Sequence, residues 1–266
     1  MIRILEAKII MQIVFDSTLA EKYSNASQKI KAVSEDWVGR NIFCPACGSI
    51  INHFENNRPV ADFYCDDCKE EYELKSKKDS MGKKIVDGAY RTMIERLQSE
   101  RNPNFFFLNY NLKNFSVINF MVIPKHFFIP EIIEKRKPLS ENARRAGWVG
   151  CNIVLKSVPQ SGKIFYIKDG KLEAKKDVLE NWSKTLFLRE EKELTRKGWI
   201  LDTMNCIDKI GKREFVLDDV YAFEKELKEK HPDNNFIKDK LRQQLQVLRD
   251  KGYLNFVSRG KYKLAI

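Results

Sequence analysis

Two carboxylates, a lysine and a pair of cysteines occur together in one short segment of the chain. Asp62 precedes Cys65 and Cys68, and Glu73 and Lys75 follow them. Thiolates are the preferred ligands of zinc, whereas carboxylates suit a hard cation such as Mg²⁺. The residue types therefore indicate two kinds of metal chemistry in a segment the size of a hairpin.

A β-hairpin would bring the charged residues of this segment together. If its turn is centred near Asp67 and Cys68, then Asp62 lies opposite Glu73, and Glu73 shares one strand face with Lys75. A bound Mg²⁺ lowers the pKa of an attacking water, and lysine can orient that water. We therefore predict a phosphodiester-cleaving site with Asp62, Glu73 and Lys75 as catalytic residues, and with the two carboxylates as Mg²⁺ ligands. The alternative is a surface strand with a Glu73–Lys75 salt bridge.

The cysteine spacing predicts a structural zinc site. The motif is Cys44-x2-Cys47, then 17 residues, then Cys65-x2-Cys68. Two such pairs can place four thiolates at the corners of a tetrahedron around Zn²⁺. Because four sulfurs close the coordination sphere, this zinc is expected to hold structure and not to perform chemistry.

Composition and charge indicate a globular protein with a polyanionic partner. The 266-residue chain has a net charge of +11, of which residues 184–266, with 19 Lys and Arg against 14 Asp and Glu, contribute +5. A basic surface favours nucleic acid through neutralisation of phosphates, although charge alone also serves solubility. No apolar run is long enough for a membrane helix and the start is a poor signal peptide, so we expect a cytoplasmic location.

The order of predicted elements indicates two domains. Residues 1–188 read as a mixed α/β domain, and residues 189–266 read as three helices followed by a short hairpin, the layout of a winged helix. The predicted helices cover residues 16–40, 88–99 (after Asp87 as a possible cap), 201–210, 217–230 and 236–251. The predicted strands cover residues 104–110, 115–123, 163–167, 253–257 and 262–264.

The motif from Pro59 through Asp62 to Glu73-Leu74-Lys75 resembles the PD-(D/E)xK nuclease superfamily. Within it the chain is similar to the DpnI-type methyl-directed restriction endonucleases from Met11 to Lys263, which leaves Met1 and Met11 both open as the start. The runs that carry this resemblance are Glu35–Val38, Asn52–Cys65, Arg144–Trp148, Asn205–Ile210 and Arg242–Gln246.

The resemblance implies a fold, an activity and a substrate. The fold is a PD-(D/E)xK nuclease domain with a zinc site, followed by a winged-helix domain. The activity is Mg²⁺-dependent, blunt cleavage of double-stranded DNA between A and T of GATC sites that carry N6-methyladenine. The enzyme is expected to be a monomer in solution.

Methyl recognition needs an apolar surface, since a methyl group gains about 1 kcal/mol on leaving water. Trp148, which follows Arg144 and Arg145, is our candidate methyl sensor in the nuclease domain; a core tryptophan is the alternative. In the winged helix, the polar side of the last helix is expected to enter the major groove, and the hairpin tip to reach phosphates or the minor groove. The residues concerned are Lys238, Lys240, Arg242, Gln243 and Gln246 on the helix, with Arg259 and Lys261 at the tip.

Two other classes of function remain open at this point. One is a DNA-binding regulator in which the carboxylates are vestigial. The other is a repair-type nuclease of the same superfamily that ignores methylation. Digestion of methylated and unmethylated DNA separates all three.

Overall fold

The computed structural model describes residues 11–54, 61–99 and 102–265. Arg58, Pro59 and Val60, the first residues of the predicted hairpin segment, lie outside these ranges. The chain forms two compact units, the first from residues 1–82, 101–125 and 164–182, and the second from residues 83–100, 126–163 and 183–266. These units are not the two predicted domains, so the boundary after residue 188 stays a prediction. Within the described ranges, no helix is long and apolar enough to cross a bilayer.

Eight α-helices and thirteen strands are assigned within the described ranges. The helices are α1 (Ala26–Asn41), α2 (Tyr90–Leu97), α3 (Lys175–Ser183), α4 (Phe187–Glu190), α5 (Leu194–Ile210), α6 (Leu217–Tyr221), α7 (Glu224–Lys230) and α8 (Ile237–Asp250). The strands are β1 (Asn52–His53), β2 (Phe63–Tyr64), β3 (Glu71–Lys78), β4 (Lys84–Ala89), β5 (Asn104–Tyr110), β6 (Val117–Ile123), β7 (Ile133–Lys135), β8 (Gly150–Val154), β9 (Ile164–Lys168), β10 (Lys171–Leu172), β11 (Glu214–Val216), β12 (Leu254–Ser258) and β13 (Lys261–Leu264).

The first unit is built on a seven-stranded sheet in the order β1-β2-β3-β5-β6-β9-β10. β3 and β5 are parallel, and the other neighbours are antiparallel. Every residue of β5 is buried, which explains its run of aromatic and aliphatic side chains. Trp37 of α1 packs edge-on against Phe120 of β6, so the helix covers one face of the sheet. β3 therefore lies inside this sheet, between β2 and β5.

The second unit contains two three-stranded antiparallel sheets, β4-β8-β7 and β11-β13-β12. In the latter, β11 lies between α5 and α6, and β12 and β13 follow α8, which is the arrangement of a winged helix. α8 buries Ile237, Leu241, Leu245 and Leu248 along one side. Its end is fixed by a Schellman motif, because Gly252 has φ 75° and the amide of Tyr253 donates to the Leu248 carbonyl over 2.8 Å. The predicted role of Gly252 in ending this helix is confirmed.

The predicted fold class is confirmed, with differences at particular elements. The Asp87 cap is wrong, because Asp87 lies inside β4, where β8 pairs with the strand, and α2 begins at Tyr90. The helix predicted from residue 201 begins earlier, at Leu194. Its first turn is polar and faces solvent, so composition did not mark it as helix, whereas Trp199 and most residues after it are buried. The single helix predicted over residues 217–230 is two helices.

Candidate active site and zinc cluster

The β2–β3 hairpin has the predicted register. Phe63 pairs with Tyr72, which centres the turn between Asp67 and Cys68 and places Asp62 opposite Glu73. The amide of Asp62 donates to the Tyr72 carbonyl at 2.9 Å. Asp62 Oδ2 accepts a hydrogen bond of 2.7 Å from the Leu74 amide. This last bond fixes the orientation of the Asp62 carboxylate at the end of the short strand.

Glu73 and Lys75 lie on the face of β3 opposite to the core. Tyr72, which precedes them, is fully buried, and Leu74, which lies between them, packs against the same core. Glu73 Oε1 and Lys75 Nζ are 2.5 Å apart, and their side chains are only 16% and 19% exposed. The Glu73–Lys75 salt bridge named as the alternative is therefore present. It lies in a recess, however, and not on an open strand surface.

One cavity of about 580 Å³ brings the predicted catalytic residues together. Asp62, Glu73 and Lys75 line it from the hairpin, and Lys31 and Glu35 line it from α1. Carboxylate oxygens from separate elements that converge on one space are a donor set that suits Mg²⁺. These residues fit the metal that the sequence predicted.

Glu35 lines the same cavity, although the sequence analysis did not propose it as a site residue. Burial raises its pKa, the ion pair with Lys31 at 3.5 Å opposes that shift, and the negative charge of Asp62 adds to it. The available sequence signal was weak, since a lysine four residues before a glutamate occurs on many solvated helices. The cavity identifies Glu35 as a third carboxylate near Asp62.

Three contacts hold α1 in place. Asn25 caps the helix by accepting from the Ser27 amide at 2.8 Å, and Trp37 Nε1 donates to the Gln12 carbonyl at 2.6 Å. His53 Nε2 lies 3.0 Å from the carbonyl oxygen of Glu35 itself. His53 therefore contacts the helix that carries Glu35 and is not part of the cysteine cluster.

The four predicted zinc ligands form one cluster. The sulfurs of Cys44, Cys47, Cys65 and Cys68 all lie within 4.8 Å of one another. The Sγ atoms of Cys44 and Cys68 are 3.4 Å apart, as are those of Cys47 and Cys65. A tetrahedral zinc with Zn–S near 2.3 Å requires sulfur separations of about 3.8 Å, so the cluster fits Zn²⁺.

Tyr72 connects the cysteine cluster to the carboxylate strand. Its hydroxyl lies 3.0 Å from Cys44 Sγ. Its ring is fully buried and stacks on Phe106 at 4.5 Å with an interplanar angle of 9°. With a metal-bound thiolate, the tyrosine hydroxyl must be the donor. The residue next to Glu73 in sequence is thus hydrogen-bonded to a predicted zinc ligand.

The predicted methyl sensor lies in a structured loop of the second unit. Trp148 is half-buried, and the guanidinium of Arg145 lies over its ring at 4.7 Å. A Cβ on residue 150 would come within 2.8 Å of the Trp148 ring. The ring can occupy this position because residue 150 is a glycine. Arg144 is exposed beside this pair. The indole is therefore not a fully buried core residue.

The predicted DNA-contacting residues of the C-terminal region are exposed. They are Lys238, Arg242, Gln243 and Gln246 on α8, and Arg259 and Lys261 at the turn between β12 and β13, while Lys240 is half-buried. Lys238 also pairs with Glu224 at 3.2 Å. The structure thus leaves this side of α8 and the hairpin tip accessible to a ligand.

The fold and these sites define a mixed α/β protein that carries a four-cysteine cluster and ends in a helix-turn-helix domain. The model of the DpnI, Dam-replacing family matches residues 11–191, and that of the Dam-replacing HTH domain matches residues 195–264. The chain belongs to the DpnI family. Membership implies a restriction nuclease that binds DNA.

Proposed function

We propose that the protein is a type II restriction endonuclease that cleaves double-stranded DNA at GATC sites carrying N6-methyladenine, by Mg²⁺-dependent hydrolysis of the phosphodiester bond. The observation that carries the hydrolytic part is the convergence of Asp62, Glu73 and Lys75 on one cavity. Family membership and the resemblance described above support the methylated target.

Four charged residues of the cavity have a role in this proposal. Asp62 and Glu73 would hold Mg²⁺, with Glu35 as a third carboxylate. When bound there, Mg²⁺ would lower the pKa of a water and offset charge on the transition state. Lys75, which forms an ion pair with Glu73, can donate a hydrogen bond to the attacking water or to the phosphate.

The structural zinc has a separate role. A zinc held by the four cysteines would close the hairpin turn onto the Cys44 loop, at the end of the hairpin away from Asp62. We propose that this closure keeps Asp62 opposite Glu73 when DNA enters.

The test is digestion of one plasmid, prepared with and without adenine methylation at GATC, in the presence of Mg²⁺. The wild-type protein should cut only the methylated plasmid. Asp62→Asn should abolish cutting and retain binding to methylated DNA, because the amide oxygen can still accept from the Leu74 amide. Asp67→Asn removes a similar charge from the exposed turn and serves as the matched control, which should cut normally.

Three outcomes separate the alternatives. Equal cutting of both plasmids would indicate a nuclease that ignores methylation. Binding without cutting by the wild-type protein would indicate a regulator. Unchanged cutting by Asp62→Asn would refute the catalytic assignment.

A further inference from the structure

An exposed phenylalanine stands at the start of α8. Phe236 is the N-cap residue of this helix and is 72% exposed, more than any other large apolar side chain in the ranges that the structure describes. Exposing an aromatic ring of this size to water is unfavourable. Single exposed apolar residues are nevertheless common, so exposure alone does not indicate a function. Its position on this particular helix is what makes it informative.

The backbone at Phe236 is well fixed. Its amide donates to Asn234 Oδ1 at 2.8 Å, and its carbonyl accepts the first helical hydrogen bond, from the Lys240 amide, at 3.0 Å. The ring does not join the core side of α8, which begins with Ile237. Helical periodicity puts Phe236 on the same side as Lys240 and Gln243. The ring is therefore displayed from a rigid site beside polar residues.

α8 is the helix that a winged-helix protein inserts into the major groove. It is the last helix before the β12–β13 hairpin, and its exposed side carries Lys238, Arg242 and Gln243. In this kind of domain the N-terminal residues of the recognition helix contact base edges. Phe236 thus occupies the position from which an apolar side chain would contact a base.

We propose that Phe236 supplies the apolar surface on which the winged-helix domain receives the N6-methyl group of adenine. This inference rests on the proposed function. The N6 amino group of adenine points into the major groove, so a methyl group on it is presented there to the recognition helix. The methyl group and the exposed ring both leave water on contact, and the methylated base is favoured for that reason.

Binding measurements with the full chain and no added divalent cation test this inference. The probes are two duplexes of one sequence, with both GATC adenines methylated or with neither. Phe236→Ala should weaken binding to the methylated duplex about fourfold for one methyl contact, and leave binding to the unmethylated duplex unchanged. Phe236→Leu should keep most of the preference. Phe256→Ala, at another exposed ring on β12, is the matched control and should leave the preference intact.

The outcomes distinguish this inference from the proposed function. If the wild-type protein binds both duplexes equally, the methylated target is refuted and the role of Phe236 with it. If the wild-type protein prefers the methylated duplex and Phe236→Ala keeps the full preference, only the role of Phe236 is refuted. An equal loss on both duplexes would place the ring against a thymine methyl or another base atom, and would also refute the inference. Thermal unfolding of each variant confirms that the exposed substitution leaves the fold intact.

Discussion

At the scale of single residues, the candidate active site gathers three carboxylates in a recess. Asp62, Glu73 and Glu35 line the same cavity, and Lys31 and Lys75 accompany them. Burial raises the pKa of Glu35, with the charge of Asp62 acting in the same direction. Such a group reduces stability while it is charged, and this cost is expected where a protein prepares a cation site.

Glu35→Gln should make the protein more stable at neutral pH and less active. A carboxyl whose folded-state pKa lies above its unfolded value costs stability at pH above the folded pKa, and the cost disappears below the unfolded value. The gain in unfolding free energy should therefore shrink as the pH falls toward the ordinary glutamate value of 4.5. Denaturant unfolding between about pH 4 and 8, without Mg²⁺, measures it.

The control for this prediction is Glu21→Gln, at an exposed glutamate in the same unit. It should change neither the pH dependence nor the cleavage of methylated plasmid. A Glu35→Gln protein that cuts at the wild-type rate would remove Glu35 from the site. A stability difference that is constant with pH would contradict the burial argument.

The sequence predicted the hairpin residues of this site but not Glu35. The cysteine pairs fix where the turn lies, and the two-residue period of a strand then places Asp62, Glu73 and Lys75 relative to it. Glu35 comes from a helix separated by many residues, and only the packing of α1 on the sheet brings it to the cavity. A contact between segments so far apart in the chain leaves no periodic pattern in the local sequence.

At the scale of elements, the hairpin joins the cysteine cluster to the carboxylates through Tyr72. Groups that hydrogen-bond to metal ligands orient them and tune metal affinity. Tyr72 also stacks on Phe106 in the core. The Cys44 loop, β3 and the centre of the sheet are consequently linked by one side chain.

Tyr72→Phe should weaken zinc binding by about tenfold, because the ring keeps its packing while Cys44 loses a hydrogen-bond donor. Competition with a chromophoric chelator measures zinc affinity directly. Cleavage should decline in step with zinc loss, and additional Mg²⁺ should not restore it. Tyr64→Phe, on the neighbouring strand, is the matched control. Equal zinc affinity of wild type and Tyr72→Phe would show that the hydroxyl contact is not significant for the metal.

Elements were predictable where the local pattern was strong. β5 has the predicted bounds, since its seven residues are all buried and apolar or aromatic at most positions. β4 and β8 were missed, because their pairing joins residues 84–89 to residues 150–154 and their sequences mix polar and apolar positions. The polar first turn of α5 was likewise misjudged from composition.

At the scale of the whole molecule, positive charge occurs in both regions matched by the family models. A protein that neutralises DNA phosphates loses affinity linearly in the logarithm of salt concentration. Arg259 and Lys261, both exposed at the hairpin tip, are candidates for such contacts.

Replacing Arg259 and Lys261 together by alanine should reduce the salt dependence of binding. Each lost phosphate contact lowers the slope by about 0.9, so a change of about 2 is expected if both make contacts. Methylated and unmethylated duplexes should lose affinity by the same factor, since phosphates carry no methylation signal. Titrations at several salt concentrations give the slope, and an unchanged slope would place these side chains away from phosphates.

The path of the chain between the two compact units has a consequence for biosynthesis. The chain passes from one unit to the other five times before it ends. β9 and β10 at residues 164–172 complete the sheet that contains Asp62, so this sheet cannot close until most of the protein has left the ribosome. Pairing over such sequence separations is slow. A nascent chain that has already exposed its carboxylates and cysteines would therefore lack the assembled sheet, and the candidate site could not form fully until residues 164–172 have emerged.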